Sequence, residues 1–203
     1  LKFKNPFKLN SKNSSKYVLD CLNLAHSLAE KNKVKGIINC PINKKLLKRA
    51  NQGVTEYLAS KCKIHDNSEV MMIYNKKLSV VPVTTHISIK NISKKISSDL
   101  IKKKIEVLNK FFKKIFKYKP RIAILGLNPH NSEMSKSSEE KLKIIPAISS
   151  LKKRGFNIKG PFASDTIFID NFKKFDVVVG MYHDQVLAPF KTLFNYDAIN
   201  VTL

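Results

Sequence analysis

Three histidines occupy the same kind of place in the chain. His86 closes Val80-Val-Pro-Val-Thr-Thr-His86, His130 follows Ile122-Ala-Ile-Leu-Gly-Leu-Asn-Pro129, and His183 closes Val177-Val-Val-Gly-Met-Tyr-His183. Each comes just after an apolar run of the kind that forms buried strands in parallel sheets. Imidazole is the commonest ligand for divalent transition metals, and three protein ligands with one open position is the catalytic zinc pattern. Spacings of 44 and 53 residues are far too long for a zinc finger or an HExxH helix, so only the fold could assemble such a site. Singly, each histidine reads more simply as a satisfied buried or surface residue; the shared strand-end position is what joins them. His26, in a helical stretch, and His65, in a polar loop, have no such position and no assigned role. Two other groups could take part. Asp165 lies in the loop Gly160-Pro-Phe-Ala-Ser-Asp-Thr166, and a carboxylate near a metal can move protons. Lys191 follows Pro189-Phe190 in a turn-prone segment that could return the chain toward the metal, where an ammonium can hold a phosphate as a point charge. From spacing alone, surface charge is the simpler reading of both.

For the histidines to meet, their strands must end on one edge of a sheet. In open α/β sheets ligands bind outside the carboxyl ends of the strands. The rest of the chain reads as support for such a sheet. Residues 1–13 have little periodicity and read as a loop or lead-in. A helix follows from a Ser14-Ser15 cap, with Val18, Leu22, Ala25 and Leu28 at helical spacing and positive charge over residues 31–35. Residues 36–41 read as a short buried strand, and 45–50 and 53–59 as helices. Residues 70–74 and 78–83, split by Asn75-Lys-Lys77, read as a hairpin or two neighbouring strands. Ser97-Ser-Asp99 caps a helix whose Ile101, Ile105, Leu108, Phe112 and Ile115 form an apolar stripe, which is ordinary core packing. Ser137-Ser-Glu-Glu140 has the pattern of a capping box opening a helix closed at Gly155, with a kink expected at Pro146. Residues 160–166 read as a loop, 176–180 as a strand and 182–185 as a strand-end loop. Alternating helices and strands predict one α/β region over residues 1–203, a sandwich with a largely parallel sheet.

Composition narrows the function classes. With 43% hydrophobic residues over 203 positions the chain can bury a full core. No apolar run approaches the roughly 18 residues of a membrane span. Three cysteines (Cys21, Cys40, Cys62) without a CxxC pair suit reduced thiols and a cytoplasmic setting. The net charge of +23 raises nucleic-acid binding. However, the arginines that make bidentate contacts are only Arg49, Arg121 and Arg154, and the lysines are scattered. Compositional drift toward Lys, Asn and Ile is therefore the favoured reading.

Gly126-Leu-Asn-Pro-His130, Thr84-Thr-His86, Gly160-Pro-Phe-Ala-Ser-Asp-Thr166 and Met181-Tyr-His-Asp-Gln185 together resemble the 4-hydroxythreonine-4-phosphate dehydrogenase family of vitamin B6 synthesis. Pro41-Ile-Asn-Lys44 and Gly53-Val-Thr-Glu-Tyr-Leu-Ala59 also look like family segments. The resemblance runs in order from about Ser14 to Leu203. It implies an α/β/α sandwich like that of isocitrate and isopropylmalate dehydrogenases, incomplete in this chain. It also implies a homodimer in which His86, His130 and His183 hold a divalent metal, zinc or else magnesium or cobalt, shared across the interface. Thr55, Lys191 and Asn200 fall on substrate-contacting positions, and Asp165 is the candidate for proton transfer. The implied reaction is NAD- (or NADP-) dependent oxidation of 4-phosphooxy-L-threonine, a small phosphorylated hydroxy amino acid, with loss of carbon dioxide. The family has His where Val54 stands, a glycine-rich loop where residues 131–136 stand, and Gly where Val186 stands. It also extends beyond both ends of this chain, which opens on Leu1. A fragment is therefore expected, inactive alone, and no NAD-binding residue is assigned. The alternatives are a paralogue acting on a phosphothreonate or phosphoerythronate, or a non-catalytic metal- or nucleic-acid-binding remnant.

Overall fold

The computed structural model describes residues 11–47, 53–62 and 69–203. The chain divides into two compact units, residues 1–67 and 68–203, within the single region read from the sequence. In the first unit α1 (Ser11–Glu30) is followed by a 3-10 turn (Lys44–Leu47) and α2 (Val54–Lys61). Helix α1 begins before the expected Ser14-Ser15 cap, and Ser15 instead donates its hydroxyl to the Leu46 carbonyl at 2.5 Å. The strand expected over residues 36–41 does not form: among the described residues this segment pairs with no strand, and Ile38 is fully exposed. An apolar run becomes a strand only if a neighbour takes up its backbone N–H and C=O groups. His65 and residues 48–50 of the expected helix lie outside the described residues.

The second unit is a six-stranded sheet in the order β4-β3-β5-β2-β1-β6. Its strands are β1 (Met71–Tyr74), β2 (Ser79–Thr84), β3 (Ile122–Leu125), β4 (Ile158–Phe162), β5 (Val177–Tyr182) and β6 (Ile199–Thr202). β4, β3, β5 and β2 are mutually parallel, while β1 runs antiparallel to both β2 and β6. The expected hairpin over residues 70–83 is thus present, with Ile73 opposite Val80. The sheet's helices are α3 (Ile92–Lys95), α4 (Ser98–Ile115), α5 (Ile145–Lys153), α6 (Ser164–Ile167) and α7 (His183–Phe194).

Because successive strand side chains point to opposite faces, each apolar strand feeds two cores. Val81, Val83, Ile122, Ile124, Val177 and Val179 join Ile101, Ile105, Leu108 and Phe112 of α4 and Ile148 and Leu151 of α5 on one face. Val80, Ala123, Leu125 and Val178 join Val186, Leu187 and Phe190 of α7 on the other. This two-sided burial explains why β2, β3 and β5 read as continuous apolar runs instead of alternating ones. The Ser97 hydroxyl caps α4 by accepting from Leu100 N at 3.1 Å. Ile115, placed in the apolar stripe by its spacing, is exposed in the last turn of that helix.

Three local expectations are corrected. The loop read over residues 160–166 is the end of β4 followed by the single turn α6. No loop follows β5: α7 starts at His183 itself and runs through Pro189 to Phe194, so Lys191 is helical and not in a turn. Pro146 is not in a helix interior but is the second residue of α5, and a π-helical turn, Glu140–Ile144, runs directly into that helix. Proline has no N–H for the carbonyl of the preceding turn and crowds it, which favours a wider turn there. Among the described residues no helix is long and apolar enough to cross a membrane.

Candidate active site

The carboxyl ends of β4, β3, β5 and β2 form one edge of the sheet, because these four strands are adjacent and parallel. Four of the sequence-predicted residues follow those ends. Asp165 lies in α6 after β4, His130 in the turn Pro129–Met134 after β3, His183 at the start of α7 after β5, and His86 two residues beyond β2. The His86 and His183 rings have centroids 6.2 Å apart at 38°. Two imidazoles bound tetrahedrally to one ion at about 2.0–2.1 Å hold their ring centres roughly 5 Å apart, so the pair faces one another but stands wider than a shared tetrahedral ion would hold it. His183 Nδ1 lies 2.7 Å from Asp184 Oδ1, a carboxylate–imidazole pair that leaves Nε2 for a ligand. His130 is exposed and does not complete the pair: among the described residues no three His, Cys, Asp or Glu side chains group closely enough to hold an ion.

The loop bearing His130 is held by residues to which the sequence reading gave other roles. Gly126 ends β3 under the folded-back side chain of Asn131: a Cβ there would meet Asn131 Oδ1 at 1.9 Å. His130, Asn131 and Met134 adopt left-handed backbone, with φ of 49°, 54° and 60°, a region that costs L-residues energy. Fully buried Glu140 accepts from Leu127 N and Asn128 N, both at 2.8 Å, and from the Asn128 side chain at 3.1 Å. Glu139 accepts from the same Asn128 amide at 2.9 Å and from the Ser93 hydroxyl. Burial pushes the Glu140 carboxyl up, but the Asn128 and Leu127 N–H groups and its own outweigh it, leaving the group below its ordinary 4.5. The capping-box reading of Glu140 is therefore corrected: Ser138 Oγ caps, accepting from Lys141 N at 3.3 Å, and Glu140 serves the loop. Spacing could not have told these apart, since the partners of Glu140 come from a strand end and not from its own helix.

The remaining predicted residues lie elsewhere. Lys191 is exposed in the last turn of α7, eight residues after His183 and about 12 Å along the helix at 1.5 Å per residue. The chain therefore does not turn back toward the metal at Lys191, as its Pro-containing segment implied. Asn200 is exposed on the edge strand β6, opposite Ile73. Thr55 is the second residue of α2, in the first unit, and its side chain lies outside the described set. The structure thus brings His86 and His183 together, sets His130 and Asp165 on the same edge, and leaves Lys191 and Asn200 apart from them.

The sequence matches the family described as pyridoxal phosphate biosynthetic protein PdxA over residues 2–203. It is 40% identical over 186 residues to a 4-hydroxythreonine-4-phosphate dehydrogenase of Aquifex aeolicus, covering 89% of this chain and 57% of that protein. It is 35% identical over 187 residues to a D-threonate 4-phosphate dehydrogenase of Pectobacterium atrosepticum, covering 90% of this chain and 57% of that one. The crystal structure of a 4-hydroxythreonine-4-phosphate dehydrogenase from Klebsiella pneumoniae superposes with a TM-score of 0.86 at 32% identity, over 98% of this chain and 61% of the other. The expected α/β/α sandwich is the fold held in common. The chain spans somewhat over half the length of these curated relatives.

Proposed function

The chain belongs to the pyridoxal phosphate biosynthetic protein PdxA family, and from that premise we propose that it is the metal- and substrate-binding part of a dehydrogenase acting on a phosphorylated hydroxy acid. The substrate is 4-phosphooxy-L-threonine, oxidised at its hydroxyl with NAD and then decarboxylated. The observation that carries this reading is that the His86 and His183 rings stand 6.2 Å apart where two neighbouring parallel strands end. His130 would complete the ligand set in a homodimer whose site is shared between subunits. A divalent ion held there would supply Lewis acidity to the substrate hydroxyl and NAD would accept the hydride. The chain's own residues do the rest. The carboxylate of Asp184 orients the His183 ring through Nδ1. Asp165, exposed on the same edge, moves the hydroxyl proton. Lys191 and Asn200 stand apart from the histidines within one chain, so their substrate roles, Lys191 as a point charge for the phosphate, belong to the assembled homodimer.

A second reading has support of its own. Val54 opens α2 where the resemblance calls for histidine, and a 35% identical relative bears the name D-threonate 4-phosphate dehydrogenase. A site without that imidazole has one polar contact fewer with which to select 4-phosphooxy-threonine over a phosphothreonate, which carries a hydroxyl where the former carries its amine. The test is steady-state kinetics of the complete gene product with NAD, a divalent metal and each acid in turn. The proposal requires NADH formation with at least one of them and carbon dioxide among the products. Lys191→Met should raise KM more than it lowers kcat, with roughly a ten- to hundredfold loss in kcat/KM. Val54→His should shift the ratio of efficiencies toward 4-phosphooxy-threonine. No turnover of either acid would end the proposal, and an unchanged KM would remove Lys191 from the phosphate site.

A further inference from the structure

The strand ends that carry the three histidines are joined by side chains that touch no candidate ligand. Thr84 Oγ1, at the end of β2, donates to the Met181 carbonyl of β5 at 2.7 Å. The Met181 N–H donates to Gln185 Oε1 at 2.6 Å, and Gln185 Nε2 donates to the Gly126 carbonyl at the end of β3, at 2.7 Å. That carbonyl and the Leu127 N–H belong to one planar peptide group, and the Leu127 N–H is taken by buried Glu140 at 2.8 Å. The peptide linking Gly126 to Leu127 is thus gripped at its oxygen by Gln185 and at its nitrogen by Glu140. Its rotation would leave a buried donor or acceptor unsatisfied at either end, a cost of about 1–3 kcal/mol each. Gln185 is itself buried, two residues after His183 on α7. One amide therefore spans the His183 strand end and the root of the His130 loop.

We propose that Gln185, with Glu140, is a positioning residue that sets the His130 loop relative to His183 and His86, acting on metal binding without touching the ion. This inference rests on the proposed role of the three histidines. Only a side chain with both an acceptor and a donor can serve Met181 N–H and Gly126 C=O together, which a carboxylate or an apolar residue cannot. Side chains that orient metal ligands typically change affinity by about ten- to a hundredfold.

The test uses Zn²⁺ alone as the probe on the complete gene product. Affinity is read by competition with a chromophoric chelator, and the imidazole NMR signals of His86, His130 and His183 are followed on adding the ion. In Gln185→Glu, affinity should fall by about ten- to a hundredfold, and the His130 response should be lost or altered while His86 and His183 still respond. A merely structural role would lower stability and affect all three signals alike. If Gln185→Glu does not fold, Gln185→Met and Glu140→Gln probe the oxygen and nitrogen sides of the same peptide, with the same selective loss expected. Wild-type affinity with a normal His130 response in folded variants would overturn the positioning role alone. No response of any histidine in the wild type would overturn the metal reading on which it stands.

Discussion

Single residues in this chain carry roles that their types do not announce. Lys104 stands on the apolar side of α4, 5% exposed, with its ammonium donating to the backbone carbonyl of Glu69. Burial pulls its pKa below the ordinary 10.5, opposed by the Glu69 carboxylate. In the unfolded chain the amine holds its proton up to about its normal pKa, while in the folded chain it releases it sooner. The unfolded state therefore binds more protons between the two values, and stability rises with pH through that window. Below it the charged, buried amine is a fixed penalty. Lys104→Met should remove this alkaline rise while leaving the acid limb alone. Urea unfolding of both proteins from pH 7 to 11 measures it; parallel curves across that range would mean Lys104 keeps an ordinary proton affinity when folded.

Among the secondary-structure elements, β4 approaches β3 closely at Gly160. Gly160 has φ of +139°, and a Cβ there would lie 2.4 Å from the Ile124 carbonyl oxygen. The obstacle is backbone in a buried strand, so it cannot move aside as a flexible side chain would. Gly160→Ala should cost roughly 2–4 kcal/mol from combined clash and backbone strain. It should also disturb the Asn131 side chain, which donates to Pro161 O at 3.3 Å and helps tie the His130 loop to β4. Gly36→Ala, with nothing within 4 Å of the added methyl, should be close to neutral. Chemical denaturation of the two variants checks this, and equal stabilities would contradict the packing described.

At the scale of the whole molecule, charge is the feature that most invites a wrong function. The net +23 comes from lysines scattered along the whole sequence, with few arginines. Its expected consequence is weak, sequence-independent attraction to polyanions through counterion release. Binding to a labelled DNA duplex should therefore fall steeply between 50 and 200 mM salt, by about a thousandfold or more if six or so phosphates are neutralised, with no preference among sequences. A complex that persists at physiological salt and discriminates between duplexes would make nucleic-acid recognition the better reading of this surface.

The sequence by itself determined the sheet strands β1, β2, β3 and β5, the apolar face of α4 and the strand-end address of His86, His130 and His183. These are short-range matters, set by runs of apolar residues, caps and turn residues that lie next to one another in the chain. Only the tertiary structure decided the rest. It ordered the strands so that β2, β5 and β3 are neighbours, bringing His86 to His183 while leaving His130 outside the pair. It turned Glu140 from a helix cap into the support of a loop, and Gln185 from one letter of a motif into a link between two strand ends. It carried Lys191 along a helix that runs through Pro189. It also left residues 36–41 without a strand partner among the described residues. In each case the deciding hydrogen bond or gap lies between segments distant in sequence. A pattern read along one segment records what that segment prefers, but not which distant backbone group will satisfy it.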